Sequence, residues 1–374
     1  MTELLFKRDC LHWRSDRPCA PHKAEGVTCD RCNHYAPIRA RVLIVKLAAA
    51  GDVLRTTSIL PALLRRHEGA QVTWVTAAGS APLLEGNPSV HRILPFRGHL
   101  PVELAVEEFD VLVNLDAATD SAAIASAARA RDKFGYGLDA RGVAYAFRPS
   151  GETWLALGVR DDLKKANAKT YQQHALEIAE LDGPPAPPQL FLTAGERARA
   201  RERAKAWGHG AGQPVVGLNT GAGGRWPLKR WTEEGFLHVA KALAASGARV
   251  WLLGGPEEAE RNRRLAAASA GAAVDTGCDN SMREFAAIVD LCDVVVTGDT
   301  LAMHLATALG KRVIAIFGPT SSAEIDLFGR GEKIVSDVMT CLVCYLSHCE
   351  LDPNCMNTIA PPTVEAAVRR QLAR

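Results

Sequence analysis

No run of apolar residues in this chain approaches the ~20 that a membrane-spanning helix needs, which removes integral membrane function from the reading. The first residues, MTELLFKRDC, lack the apolar core of a secretion signal, so the expected compartment is the cytoplasm. There, ten cysteines are thiols or metal ligands before they are disulfides. Neither sign of charge is in excess: the formal net charge is +2, and no nucleic acid or other polyanion is called for as a partner. No tandem repeat is present.

What is there is a soluble globular composition, 47% hydrophobic and 23% charged, over 374 residues, more than one core ordinarily holds. Apolar runs predict strands at 42–47, 72–76, 91–95 and 111–115, with a further short one at 133–137. Helical spacing predicts helices at 53–66, 79–86, 121–130 and 171–182. After the breaker Gly183-Pro184-Pro185-Ala186-Pro187-Pro188 the grammar resumes. Strands 215–219, 249–253, 293–297 and 312–317 alternate with helices 195–207, 232–246, 256–269, 281–290 and 301–309, and 363–373 reads as a last helix. Such alternation implies parallel sheets with right-handed crossovers. The expected division is a Cys-rich extension at 1–38, a parallel-sheet domain at 39–183, a linker at 184–190, a second parallel-sheet domain at 191–360 and a helix at 361–374. A cleft between the two domains follows.

Four stretches carry chemistry. In RVLIVKLAAAGDVLRTTSILPALL, from Arg41 to Leu64, Asp52 is the only carboxylate in the turn between a buried strand and a helix. It is placed to cap that helix, to act as a general base at the sheet's carboxyl edge, or both. The loop Asn219 to Trp231 follows the first strand of the second half. Its glycines open the backbone to a ligand, and Arg225, Lys229 and Arg230 supply cations, which suits a diphosphate. It has neither the dinucleotide nor the P-loop glycine spacing, and the first turn lacks the dinucleotide pattern too, which argues against hydride transfer. In VTGDTLAMH, a strand ends at Thr297 and a helix begins near Thr300, with an anion-binding N-terminus. Asp299 would repel phosphate there and suits sugar hydroxyls; His304 lies one turn on. Phe317-Gly318-Pro319-Thr320 leaves a further strand end of the same half. Taken singly, each is a helix cap, a satisfied core histidine or a plain turn; their convergence on one edge is what a nucleotide-sugar pocket needs.

These residues resemble glycosyltransferase family 9, the heptosyltransferases of the lipopolysaccharide inner core. The likeness runs from about Val42 to Leu372 through VKLAAAGDVLRTTSILPAL, NTGAGGRWPLKRW, WLLGGPEE and VVVTGDTLAMHLATALGKRVIAIFGPT. It implies an α/β GT-B fold: two Rossmann-like domains, an acceptor half and a donor half, with the active site between them. It also implies inverting transfer with no metal or other cofactor in catalysis. Position by position, the resemblance makes Asp52 the catalytic base. It places Arg225, Asp299, His304, Gly318, Pro319 and Thr320 around the donor, with Glu257 or Glu258 on the nucleotide ribose; Thr220, Gly221, Lys229 and Thr300, from the loops read above, complete the expected donor site. The donor would be an ADP-heptose-like sugar and the acceptor a lipid-linked saccharide at the inner face of the cytoplasmic membrane. Relatives often carry Ser or Thr before Gly51-Asp52, where this chain has Ala48 to Ala50, so the acceptor is expected to differ. A capsule or protein acceptor on the same chemistry is one alternative; a non-catalytic scaffold is another.

The cysteines form two sets, Cys10, Cys19, Cys29, Cys32 and Cys341, Cys344, Cys349, Cys355, each with one C-x-x-C pair. Four thiolates suit a closed structural zinc site or an iron–sulfur cluster; reduced thiols are the alternative. Cys278 and Cys292 are expected to be buried thiols.

Overall fold

The computed structural model describes residues 5–374 apart from Ala211 and Arg225. After a Cys-rich segment holding helix α1 (Ala20–Glu25), a first sheet is built from β1 (Ala40–Val45), β2 (Ala70–Ala77), β3 (Arg92–Phe96), β4 (Glu108–Asn114), β5 (Arg129–Leu138) and β6 (Ala144–Ala146). Its order is β3-β2-β1-β4-β5-β6, and only β6 runs antiparallel to its neighbour. The accompanying helices are α2 (Ala50–Thr56), α3 (Leu60–Arg66), α4 (Thr119–Ala127), α5 (Glu152–Val159), α6 (Asp161–Ala166) and α7 (Tyr171–Ile178). The second half opens with α8 (Ala194–Ala206) and carries β7 (Val215–Asn219), β8 (Arg249–Leu253), β9 (Val274–Asp275), β10 (Val294–Gly298), β11 (Arg312–Phe317) and β12 (Gly331–Val335). These strands pair in the order β12-β11-β10-β7-β8-β9, all parallel. Helices α9 (Glu233–Ala245), α10 (Ala259–Ala268), α11 (Met282–Val289), α12 (Leu301–Ala308) and α13 (Pro361–Leu372) cover that sheet.

Both sheets have the doubly wound order, in which the chain leaves the first strand in one direction and later returns to its other side. Ligands bind where that order reverses, at the carboxyl ends of the strands. The reversal falls between β1 and β4 in one sheet and between β7 and β10 in the other. The loops after β1, β7 and β10 carry Asp52, the glycine loop and Asp299. The fold therefore brings these loops to its ligand-binding edges.

The strand sequences are apolar runs because both faces are covered. Val42 and Ile44 pack with Trp74, Leu60 and Tyr171 on one face, and Leu43 and Val45 with Leu112 and Ile124 on the other. The second sheet repeats this, with Val295 and Val313 opposite Val294, Val296 and Ile314. The two halves share apolar packing as well: Leu54 and Leu83 from the first half join the cluster of Leu253 and Met303 in the second. Polar ties reinforce it. The Tyr171 amide donates to the Glu324 carbonyl at 2.9 Å. Arg283 donates to the carbonyls of Pro82 and Phe191, each at 2.7 Å, while pairing with Glu196. Helix α13 buries Val364, Ala367 and Val368 in the second core.

Several expected elements differ in detail. The helix expected at 53–66 starts earlier, at Ala50, and a 3₁₀ turn at Thr57–Ile59 divides it into α2 and α3. Pro61 explains the break, since it cannot donate the backbone bond a continuous helix needs there. The helix expected at 79–86 shrinks to a 3₁₀ turn, Ala81–Leu83, around Pro82. The short strand at 133–137 is the middle of the ten-residue β5. Sequence reading missed β6, β9, β12, α1, α5 and α6. β12 is a half-exposed edge strand, and the helices among them are short, so their apolar periodicity is weak.

Gly135 adopts φ +84°, and a Cβ there would lie 1.7 Å from the Asn114 carbonyl oxygen on the neighbouring strand. Gly135→Ala is expected to cost at least ~2 kcal/mol, from the left-handed backbone and the clash together. The shift in urea midpoint at unchanged m-value is the measurement.

Candidate active site

Asp52 lies in the first turn of α2 rather than at its cap. Its Oδ2 accepts the Ala49 amide at 3.3 Å, and Oδ1 pairs with Arg55 Nη2 at 2.9 Å, one helical turn on. The Arg55 guanidinium stacks 3.8 Å from the centre of the Tyr171 ring, and the Tyr171 hydroxyl bonds Thr56 Oγ1 at 2.5 Å. Below them Lys46, at the end of β1, is buried and pairs with Asp116 at 3.5 Å. Burial alone would raise the Asp52 carboxyl, but the charges of Arg55 and Lys46 outweigh it and hold the pKa down to about 2.

Across the cleft, Lys229 Nζ pairs with Asp299 Oδ2 at 2.8 Å and also reaches the Asp299 carbonyl. Lys229 keeps the buried Asp299 ionised against the effect of its burial. Asn219 Nδ2 donates to the hydroxyls of Thr297 and Thr300, which ties the glycine loop to the start of α12. Thr300 precedes α12 without a side-chain cap bond, so the first amides of that helix stay open to a ligand. His304 is buried on the same helix; burial and the Arg55 charge push its pKa down to about 4, so the imidazole is neutral at pH 7.

Two cavities meet at this helix end. One, of about 460 Å³, holds Asp52, Arg55, Lys229, Asp299, His304, Thr320 and Glu324. The other, of about 400 Å³, is lined by Asn219, Gly221, Glu258, Asn280 and Phe285. Ala222, Thr300 and Leu301 border both. A ligand with a sugar in the first and a nucleoside in the second would lay its diphosphate across the open N-terminus of α12. Buried atoms without internal partners include Thr320 Oγ1 and Arg55 Nε in the first cavity and Asn280 Oδ1 in the second. Such atoms await a ligand or water.

The expected site residues divide accordingly. Asp52, Lys229, Asp299, Thr300, His304 and Thr320 share one cavity; Gly221 and Glu258 line its neighbour. Glu258 is buried and accepts the amides of Gly223 and Gly255, whereas Glu257 is exposed, which separates the two candidates for the ribose. Thr220 corrects an expectation: its hydroxyl is buried against Asn262 and lines neither cavity, because its backbone carbonyl is also clamped by Arg261. Gly318 and Pro319 shape the wall through their carbonyls, which accept the amides of Val343 and Tyr345. Arg225 lies outside the described residues. Lys46, Arg55, Tyr171, Glu324 and Tyr345 were missed; only Arg55, three residues after Asp52 on one helix face, left a sequence signal.

The cysteines are all free. Burial, then the nearby Cys344, Cys341 and Cys349, push the Cys355 thiol up to about 11. Among the described residues, however, no group of three or more His, Cys, Asp or Glu side chains is set to hold a metal ion. Cys341 is exposed at the surface, and Cys355 is buried against Gly318. Cys278 and Cys292 are buried thiols.

Two Rossmann-like domains facing a cleft with two adjoining cavities define a GT-B-type α/β protein. The profile of glycosyltransferase family 9 (heptosyltransferase) matches residues 97–354, and the chain belongs to that family and is a glycosyltransferase. It is 28% identical over 315 residues to lipopolysaccharide heptosyltransferase 1 of Escherichia coli K12, covering 79% of this chain and 92% of that one. Its fold is similar to the structure of E. coli ADP-heptose lps heptosyltransferase II, with TM-score 0.67 at 20% identity over 89% of this chain and 98% of that one. E. coli heptosyltransferase WaaC with ADP gives TM-score 0.57 at 21% identity, covering 89% and 98%. Among the described residues no helix is long and apolar enough to cross a membrane.

A Cβ on Gly51 would lie 2.5 Å from His304 Cδ2, so the α2 turn touches α12 only because residue 51 is glycine. Gly51→Ala is expected to push the walls apart and lower turnover at least ~10-fold while ADP alone still binds, checked by kinetics and calorimetry. The His304 imidazole gives a second test. Its folded pKa of about 4 lies below the ~6.5 of an unfolded histidine, so the unfolded chain takes up the proton first as pH falls. Stability tied to His304 is therefore present above about pH 6.5 and lost between about 6.5 and 4, by at most ~1.4 kcal/mol per pH unit. His304→Gln is expected to flatten that slope in urea titrations across the window.

Proposed function

We propose that this chain transfers a heptose, or a similar sugar, from an ADP-sugar to a saccharide acceptor of the lipopolysaccharide-core type, with inversion. The observation that carries this reading is the pair of cavities meeting at the open end of α12, with Asp52 in the sugar-sized one. The names of its relatives, lipopolysaccharide heptosyltransferase and ADP-heptose lps heptosyltransferase, favour the same donor and acceptor class.

Asp52 takes the proton of an acceptor hydroxyl as that oxygen bonds to the anomeric carbon. The bond from that carbon to the diphosphate breaks on the opposite face, and ADP leaves with the electron pair. The α12 amides, Lys229 and Thr320 Oγ1 receive the charge that develops on the leaving group. Arg225 joins them on the strength of its place in the sequence. Glu258 and Asn280 hold the nucleoside.

A pKa of about 2 belongs to Asp52 in the empty cleft, where Arg55 and Lys46 face it. A bound diphosphate brings negative charge against the same cations, and an acceptor excludes water; both raise the carboxyl toward the range a general base needs. Arg55 meanwhile fixes the carboxylate so that one oxygen is presented to the acceptor.

The lipid-linked acceptor places the protein at the inner face of the cytoplasmic membrane. The exposed Val159 and Leu163, with Lys165 between α5 and α7, supply an apolar and basic edge for that contact. A different acceptor on the same donor chemistry is the second reading, favoured by Ala48 to Ala50, which offer no side-chain hydroxyl beside Asp52. A scaffold without catalysis would have no reason to gather Asp52, Asp299 and their cations around one cavity, since partly exposed ion pairs add little stability.

Asp52→Asn keeps size and shape while removing the base. Turnover of an ADP-sugar with a core saccharide is expected to fall at least ~100-fold with ADP affinity unchanged. Turnover near the wild-type rate would remove Asp52 from the role.

A further inference from the structure

Three carboxylates line the sugar-sized cavity: Asp52, Asp299 and Glu324. The first two each have a cation, Arg55 and Lys229. Glu324 has no ion pair among the described residues; its one side-chain bond is from the Tyr345 hydroxyl to Oε1 at 3.1 Å. It is half-buried, and that burial pushes its carboxyl above the ordinary range. A half-buried carboxylate with a single hydrogen bond and no counter-ion is costly in the empty protein. A ligand that donates hydrogen bonds would offset that cost.

Both groups are held in place. The Glu324 carbonyl accepts the Tyr171 amide from the other domain at 2.9 Å, which fixes residue 324 at the domain junction. Tyr345 donates its own amide to Pro319 at 2.8 Å and adopts φ +53°, a left-handed backbone that a bulky residue takes only under constraint from its surroundings. Lys164 Nζ, from α6, stands 4.5 Å over the ring. Burial keeps the phenol protonated, so it donates to the carboxylate.

We propose that Glu324, oriented by Tyr345, binds hydroxyl groups of the sugar that enters this cavity and so sets which sugar is accepted. The inference rests on the glycosyl-transfer reading and adds a specificity determinant to it. The chemistry selects hydroxyls. A phosphate would be repelled by the carboxylate, whereas a diol donates to it and also meets the Tyr345 oxygen. Donor and acceptor both bring hydroxyls here, and the test separates them.

The test uses the full chain with Glu324→Gln, Tyr345→Phe and the wild type. Calorimetry measures the affinity for ADP, for ADP-heptose and for a deacylated core saccharide, and kinetics give kcat and KM for the last two. In Glu324→Gln the affinity for one sugar-bearing ligand is expected to weaken roughly 10-fold or more, as loss of a hydrogen bond to a charged group implies. ADP affinity stays within about 2-fold and kcat changes less than KM. A smaller loss on the same ligand is expected in Tyr345→Phe. A loss confined to ADP-heptose assigns the donor sugar, and one confined to the saccharide assigns the acceptor. Two outcomes overturn the proposal: unchanged affinity for both sugar ligands in both variants, or a parallel loss for ADP alone, which marks general damage. The binding arm stands without turnover. A wild type that binds ADP-heptose but transfers nothing counts against the transfer reading, and the Glu324 comparison is still decided.

Discussion

The contact between Gly51 and His304 sets the geometry of everything else in the cleft. One residue belongs to the turn after the first strand of one sheet, the other to the helix after the fourth strand of the other. Had residue 51 a side chain, its first carbon would clash with the edge of the imidazole, 2.5 Å from His304 Cδ2. With glycine there, Asp52 and the open end of α12 face one cavity of about 460 Å³. The apolar packing of Leu54 with Met303 supports the same closeness from behind. A carboxylate on one domain and an open helix end on the other can serve one ligand only at a fixed separation, and this contact fixes it.

Charge organises the space that closeness creates. Each carboxylate facing the other domain has a cation from its own half: Arg55 for the part-exposed Asp52, and Lys229 for the half-buried Asp299. The pairing within halves keeps both walls tolerable before ligand arrives, since an isolated buried charge would cost several kcal/mol. It also leaves both cations on the cavity wall, where Lys229 borders the open helix end. The same cations depress His304, so that helix α12 presents a neutral ring and its own amides, with no formal charge of its own.

Much of this was readable in the chain. Val42 to Val45 and Val294 to Val296 announced buried parallel strands because both faces of each sheet are covered, which makes apolar runs unbroken. Asp52, Asp299 and Thr300 stood out because short polar segments at strand ends are where doubly wound sheets bind ligands. The ambiguity between Glu257 and Glu258 was beyond sequence, since neighbours on a turn point in opposite directions and only packing shows which one is inside. Thr220 failed for a related reason: a hydroxyl beside a glycine loop looks like a ligand group until Asn262, forty-two residues later, is found bonded to it. Glu324 and Tyr345 lay in stretches with neither periodicity nor motif. Their importance comes from a bond across twenty-one residues, and no local pattern records that.

The alanines before Gly51 take on a different meaning beside this pair. The wall next to Asp52 carries only small side chains. Here that wall is Ala48, Ala49 and Ala50, and the polar groups stand on the opposite wall as Ser321, Glu324 and Tyr345. The cavity is still polar, and its hydrogen-bonding groups on this side stand on a segment of the second domain. Tyr345 is carried by the stretch between Cys344 and Cys349, which lies on the Gly318–Pro319 carbonyls that border the anion site. That wall is tied to the turn holding Asp52, because the Glu324 carbonyl accepts the Tyr171 amide and the Tyr171 ring stacks on Arg55. Asp52 and the Glu324–Tyr345 pair thus sit on different domains, and the contact at Gly51 is where they are held to one another.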